Sequence, residues 1–218
     1  MDVQAFIKQA YRSFWIRFTH KPVFPTYSKK VEKLVSISGD PVRYAAIAMA
    51  LSTIQKEDIY GDYVELGVWQ GDLSRFIHQV SPTRILWLFD TFNGFNTTDL
   101  EIPSDKRFID TTLDKVKKNI GDMNNIEIRQ GHFPETARGL EDRRFSFVVL
   151  DFDLFQPTLD ALNFFYPRMV DGAYLFIHDY NSPESNHAIR RAVDTYFNGH
   201  KNNIVELPDR WGSIIIRK

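Results

Sequence analysis

The sequence predicts an α/β fold: an open, mostly parallel sheet of seven strands with helices on both faces, preceded by extra N-terminal helices. Three observations lead there. From residue 61 onward, strand-like and helix-like patterns alternate, as they do when parallel strands are joined by crossover helices. The strand-like runs, such as RILWLF and FSFVVL, are continuously apolar, as expected of strands covered on both faces. The final run, NIVELPDRWGSIIIRK, reads as a hairpin turned around residues 208–212, which makes one strand antiparallel.

The elements follow in order. DYVELGV is the first strand, and GDLSRFIHQV has helical spacing through Leu73, Phe76, Ile77 and Val80. RILWLFDTF is the second strand. A polar, irregular stretch, residues 93–109, follows and reads as a lid over a bound ligand, since loops of this length usually close over ligands or are disordered. TTLDKVKKNI is a short helix, NIEIRQGHF the third strand and PETARGL another short helix. FSFVVLDFDLF and GAYLFIHDY are the fourth and fifth strands, with a helix over 157–169 between them, and HAIRRAVDTYF is the last helix.

Residues 1–60 read as a helical extension and 61–218 as the sheet domain. In VQAFIKQAYRSFWIRF, Phe6, Ala10, Phe14 and Phe18 share one helical face. Its charges form no clean polar face, so packing on the sheet domain, over the site or against a second subunit is favoured over lying on a membrane. PVRYAAIAMALSTIQ is a second helix, with Asp40 as N-cap and Pro41 at the first helical position.

Composition narrows the function. The 218 residues carry a formal net charge of −1, against the basic excess of a general nucleic-acid binder. The absence of cysteine excludes a disulfide framework, a thiolate nucleophile and a zinc–sulfur site, and fits a cytoplasmic protein. Signal-peptide features and a membrane-spanning apolar run are not expected.

Chemistry concentrates at strand ends. Two parallel strands joined by a crossover helix end side by side. Asp151, Asp153, His178 and Asp179 therefore meet at the edge where open α/β sheets bind ligands. Glu65, Gly67 and Gly71 occupy the first strand-to-helix turn, where glycines let backbone approach a ligand and free N–H groups face it. Trp69 stands where a dinucleotide fingerprint has its second glycine, the one that makes room for the pyrophosphate. The turn thus suits a ligand without phosphates, such as S-adenosylmethionine (SAM), better than NAD. Glu65 suits the ligand's ammonium group. Asp90, about 20 residues beyond the glycine loop and followed by Thr91, suits ribose hydroxyls. Gly131, His132 and Phe133 lie where an adenine ring would be walled in.

Taken together, ELGVWQG, FDTFNGF, QGHFPET, LDFDLFQPTLDAL and HDY resemble, in order and spacing, the macrocin O-methyltransferase (TylF-like) family over roughly residues 44–218. The resemblance implies the seven-stranded, Rossmann-like class I methyltransferase sheet, SAM as methyl donor and a sugar or other natural-product hydroxyl as acceptor. It also implies a homodimer and dependence on Mg²⁺. The metal site carries over onto Asp151, His178 and Asp179, with His178 standing where the family has a carboxylate. Because Mg²⁺ prefers oxygen ligands and imidazole suits other metals, three options stay open. They are a weaker Mg²⁺ site on Asp151 and Asp179, a different metal, or no metal with His178 as general base. Asp153 reads as the cap of the following helix, and Tyr180 as a wall of the acceptor pocket. Two other readings remain: a SAM-binding module without catalysis, and a nucleotide-dependent oxidoreductase or epimerase.

Overall fold

The structure is a computed structural model that describes residues 28–198 and 203–218. The helix read at residues 3–18 and most of its connector lie outside the described residues. A short helix, α1 (Lys29–Ser36), comes first. Residues 34–218 form one compact unit, and the sheet, its covering helices and the site all belong to it.

The helix α2 (Pro41–Lys56) starts as its sequence directs. The Asp40 side chain accepts from the Arg43 N–H at 3.1 Å, and Pro41 occupies the first turn, where its missing N–H costs nothing. Tyr44, Ile47, Leu51 and Ile54 recur at helical spacing and are buried.

The sheet has the order β3-β2-β1-β4-β5-β7-β6. Its strands are β1 (Asp62–Leu66), β2 (Leu86–Asp90), β3 (Ile126–Gln130), β4 (Phe145–Leu150), β5 (Met169–Ile177), β6 (Ile204–Glu206) and β7 (Ile214–Arg217). All pairings are parallel except those of β7, which runs antiparallel to both β5 and β6. The hairpin and the single antiparallel strand are as expected. The helices α3 (Asp72–Val80), α4 (Leu113–Ile120), α5 (Phe155–Phe165) and α6 (Ala188–Tyr196) complete the fold.

Two boundaries differ from expectation. The helix after β4 ends at Phe165, because a 3₁₀ turn over Tyr166–Arg168 intervenes and β5 already begins at Met169. The short PETARGL helix is only a 3₁₀ turn, Glu135–Ala137, closed by Gly139 in the left-handed region.

The core is rich in aromatics. Phe165 contacts Phe89, Phe133 and Phe145, with ring centroids 5.0–5.8 Å apart. Burying each such ring contributes roughly 1.5–3 kcal/mol. The packing anchors the strands whose C-terminal ends form the site.

Candidate active site

The strand register sets the site. Leu66 pairs with Phe89 on one side and Leu150 on the other, and Leu150 pairs with Ile177. The residues that follow these four, Gly67, Asp90, Asp151 and His178, therefore lie along one row at the C-terminal edge. The strand order reverses between β1 and β4, which is where open α/β sheets leave a crevice. A cavity of about 470 Å³ opens there, within the size range of small-molecule sites.

Gly67 is required by contact. Its φ is +84°, and an added Cβ would lie 2.0 Å from the Asp151 carbonyl oxygen. The ends of β1 and β4 can approach this closely only without a side chain. Gly71, at the start of α3 with φ +80°, is the one residue expected to bind SAM that does not line the cavity. Its missing side chain leaves room for Val116 of α4, 3.0 Å from where a Cβ would be.

Asp90 organises the loop. Its Oδ2 accepts from the N–H groups of Val68 (2.7 Å) and Trp69 (3.0 Å), and its Oδ1 from that of Phe92 (2.7 Å). Trp69 is 43% exposed and left-handed, at φ +48°. Its indole N–H donates to Asp110 and its carbonyl accepts from Thr111, which ties the glycine loop to the segment before α4. Thr91, beside Asp90 on the cavity wall, donates its hydroxyl to the Gly94 carbonyl.

Glu65 is buried at 1% exposure and lines the cavity, and the Ser74 hydroxyl donates to it at 2.6 Å. Burial lifts its pKa to about 8, against the opposing hydrogen bond from Ser74. The carboxyl is therefore mostly protonated near neutrality.

After β3, Gly131, His132 and Phe133 all line the cavity. Phe133 belongs to the aromatic core, its ring stacked on Phe165. The His132 ring is held between Asp99 (Nε2–Oδ2 2.6 Å) and Glu135 (Nδ1–Oε2 2.8 Å). Burial alone would lower its pKa, but these carboxylates, Asp99 first, raise it.

The ends of β4 and β5 carry a tight ionic cluster. His178 Nδ1 lies 2.9 Å from Asp151 Oδ1 and 3.1 Å from Asp179 Oδ2. Arg43 Nη1 approaches the other Asp151 oxygen at 3.5 Å. Burial opposes the imidazolium, but Asp151, ahead of Asp179, outweighs it and lifts the His178 pKa to about 10. Asp151 shows the converse: burial raises its pKa, and His178 and then Arg43 more than reverse this. Asp153 is pushed well above the ordinary carboxylate range by burial and by the nearby charges of Asp179 and Asp151. Asp153 (φ +60°) and Asp179 (φ +57°) both sit in the left-handed region, a strain that collects at functional sites and that Asp tolerates better than most residues.

Two expectations need correction. Asp153 does not cap α5: the N-cap is Leu154, with no side-chain bond, and Asp153 instead accepts from Arg107 at 2.9 Å. Tyr180 does not wall the pocket, being fully buried in the main hydrophobic cluster with Arg190 over its ring.

Among the cavity residues that escaped the sequence reading are four with polar or aromatic side chains of note: Arg43, Arg107 and the hairpin-tip pair Arg210–Trp211. Arg107, in the irregular segment, bonds Asp105, Asp153 and Glu184 at once. The segment is further held by Glu101, which pairs with Arg191 of α6 at 2.5 Å. The adjacent cations Lys106 and Arg107, following the acids Asp99, Glu101 and Asp105, were the available signal for Arg107. Arg43, one turn after the predicted cap, was the signal at α2.

Comparison with known proteins agrees with this geometry. A family model described as macrocin-O-methyltransferase (TylF) matches residues 36–209. The mycinamicin III 3''-O-methyltransferase of Micromonospora griseorubida is 28% identical over 179 residues, covering 72% of this chain and 68% of that protein. An 8-demethyl-8-(2,3-dimethoxy-alpha-L-rhamnosyl)-tetracenomycin-C 4'-O-methyltransferase of Streptomyces olivaceus is also 28% identical, covering 60% of this chain and 57% of that protein. The chain thus spans between 57% and 68% of the length of these curated relatives. Among solved structures, the O-methyltransferase NovP superposes with a TM-score of 0.68 at 20% identity, covering 82% of this chain and 80% of NovP. The calicheamicin methyltransferase CalS11 gives 0.61 at 17% identity, covering 87% and 90%. These likenesses show the fold, the seven-stranded class I methyltransferase sheet.

Proposed function

This chain belongs to the macrocin O-methyltransferase (TylF) family, and we propose that it transfers a methyl group from SAM to a hydroxyl of a sugar or glycan acceptor in natural-product biosynthesis. The observation that carries the proposal is the single row of Gly67, Asp90, Asp151 and His178 beside one cavity. The relatives methylate sugar-bearing natural products by name, which supports the acceptor class. A homodimer in the cytoplasm is part of the same reading; the dimer rests on the family resemblance and the compartment on the absence of cysteine.

In this reading SAM supplies an electrophilic methyl group, and the chain's task is to bind, align and exclude water. Asp90 meets the ribose hydroxyls while it holds the glycine loop in shape. Glu65 gives up its proton and faces the ammonium group. Gly131, His132 and Phe133 bound the adenine. The segment 93–109, latched through Arg107 and Glu101, covers the acceptor.

The acceptor hydroxyl must lose a proton. The donors of Asp151, His178 and Asp179 all lie within 4.8 Å of one another, a set that fits a divalent cation. A bound cation would supply Lewis acidity and lower the hydroxyl's pKa. Asp151 and Asp179 are the carboxylates that would hold it, and without a cation Asp151 would stand as acceptor for the departing proton.

The test is calorimetric titration of the metal-stripped protein with S-adenosylhomocysteine. Micromolar binding supports the proposal. No binding, with stabilisation by NAD instead, overturns it in favour of a nucleotide-dependent oxidoreductase. Binding without methyl transfer to any glycosylated acceptor would leave a SAM-binding module.

A further inference from the structure

The donor set at the strand ends differs from an all-oxygen site in one atom, His178 Nδ1. Its distances to Asp151 Oδ1 and Asp179 Oδ2, 2.9 and 3.1 Å, are informative. Ligand bonds of ~2.1 Å at right angles put neighbouring donors about 3.0 Å apart. Two of the three donor separations therefore match neighbouring ligands on a small octahedral ion, and all three donors lie within 4.8 Å of one another. The nitrogen is also committed there. His178 is buried, its backbone N–H donates to the Leu150 carbonyl, and its Nε2 is buried without a hydrogen-bond partner. The second Asp151 oxygen is engaged by Arg43, which leaves Oδ1 as the ligand atom.

We propose that Asp151, His178 and Asp179 form a site selective for a first-row transition-metal ion (Mn²⁺, Fe²⁺, Co²⁺ or Zn²⁺) over Mg²⁺. This deepens the methyltransferase reading by assigning its metal. Mg²⁺ dehydrates reluctantly and favours oxygen donors in a near-ideal octahedron. An imidazole nitrogen gains more from Fe²⁺, Co²⁺ or Zn²⁺, whose affinities climb in the Irving–Williams order, while the two carboxylates keep Mn²⁺ within reach. The selectivity follows from the donor atoms and holds whether or not an acceptor is bound.

The experiment uses the full chain, stripped of metal and held at one pH. It is titrated separately with MgCl₂, MnCl₂, CoCl₂ and ZnCl₂, and the visible absorption of the Co²⁺ form is recorded. The expected result is one site per chain whose Co²⁺ and Zn²⁺ dissociation constants lie at least about tenfold (about 1.4 kcal/mol) below that of Mg²⁺, with a Co²⁺ spectrum that H178A abolishes. H178D, which restores an all-oxygen set, should shrink the ratio towards Mg²⁺. Mg²⁺ binding as tight as Co²⁺, a Co²⁺ spectrum that survives H178A, or no binding of any ion overturns the inference. If the variants fail to fold, the wild-type ratio decides by itself. S-adenosylhomocysteine titrated into the same preparation separates the two readings: intact binding without metal selectivity sinks only this inference, and lost binding sinks the methyltransferase proposal.

Discussion

Arg107 and Asp153, 46 residues apart in sequence, are joined by a 2.9 Å bond between Nη1 and Oδ1, and this bond fastens the loop after β2 to the end of β4. The same guanidinium grips Asp105 through Nε and Nη2 and reaches Glu184 after β5. Asp153 needs it. Burial and the Asp179 and Asp151 charges press Asp153 towards its protonated form, and Arg107 is the leading counterweight. R107A should cost roughly 1–3 kcal/mol of stability, the penalty for leaving a buried acceptor without its partner. It should also open residues 93–109 to proteolysis. R107K, which cannot span three carboxylates with one planar fork, should recover only part of both. Limited proteolysis with thermal melting checks this, and an unchanged cleavage pattern in R107A would remove the latch.

Glu65 gives a pH dependence with a defined sign. Its pKa is raised from 4.5 to about 8 by burial, so between those values the folded state binds more protons than the unfolded state. Stability then falls as pH rises through the window and levels off above it. E65Q keeps the Ser74 partner but carries no charge, so it should lose this slope. Above pH 8 it should exceed wild type by a margin on the order of 3–5 kcal/mol. Urea unfolding at a series of pH values measures it. Parallel wild-type and E65Q curves would mean that Glu65 is ionised in the fold at neutral pH.

Gly67 tests how closely the two central strands must meet. An alanine Cβ there would overlap the Asp151 carbonyl, which lies 2.0 Å from the added atom, and φ +84° is strained for alanine in any case. G67A should therefore destabilise by more than about 1–3 kcal/mol and weaken S-adenosylhomocysteine binding sharply. G71A, whose Cβ would meet flexible side chains of α4, should cost less. Equal melting temperatures for G67A and wild type would contradict the close approach.

Much of this site was legible in the sequence because it is built from strand ends. A continuously apolar run has one C-terminal residue, and parallel pairing lines those residues up. Asp151, His178 and Asp179 could thus be grouped from the sequence, and Asp90 placed at the end of its own strand. What could not be read depends on long-range pairing. Arg107 meets Glu184 across 77 residues, and the Arg210 N–H meets Asp40 across 170. No local period reports such contacts. Asp153 failed for a related reason. Cap chemistry is local and was available to it, but the distant Arg107 offered a charged partner in a buried setting, where a charge-assisted bond outweighs a neutral cap.

The proposed function gives Asp90 two duties, and one substitution separates them. Three of its acceptor positions are already used by the N–H groups of Val68, Trp69 and Phe92, so ribose hydroxyls must share the carboxylate with the loop. In D90N only one oxygen can accept. Whichever way the amide turns, its NH₂ faces at least one backbone N–H, at a cost of about 1–3 kcal/mol. For a chain of this size that lowers the melting temperature by roughly 2–10 °C. If Asp90 also holds the ribose, S-adenosylhomocysteine affinity should fall by more than about tenfold, and a 2'-deoxyribose analogue should lose less affinity in D90N than in wild type. A lower melting temperature with unchanged affinity would leave Asp90 as a loop anchor alone. An unchanged melting temperature with weakened binding would make it a ligand contact whose loop bonds contribute nothing measurable.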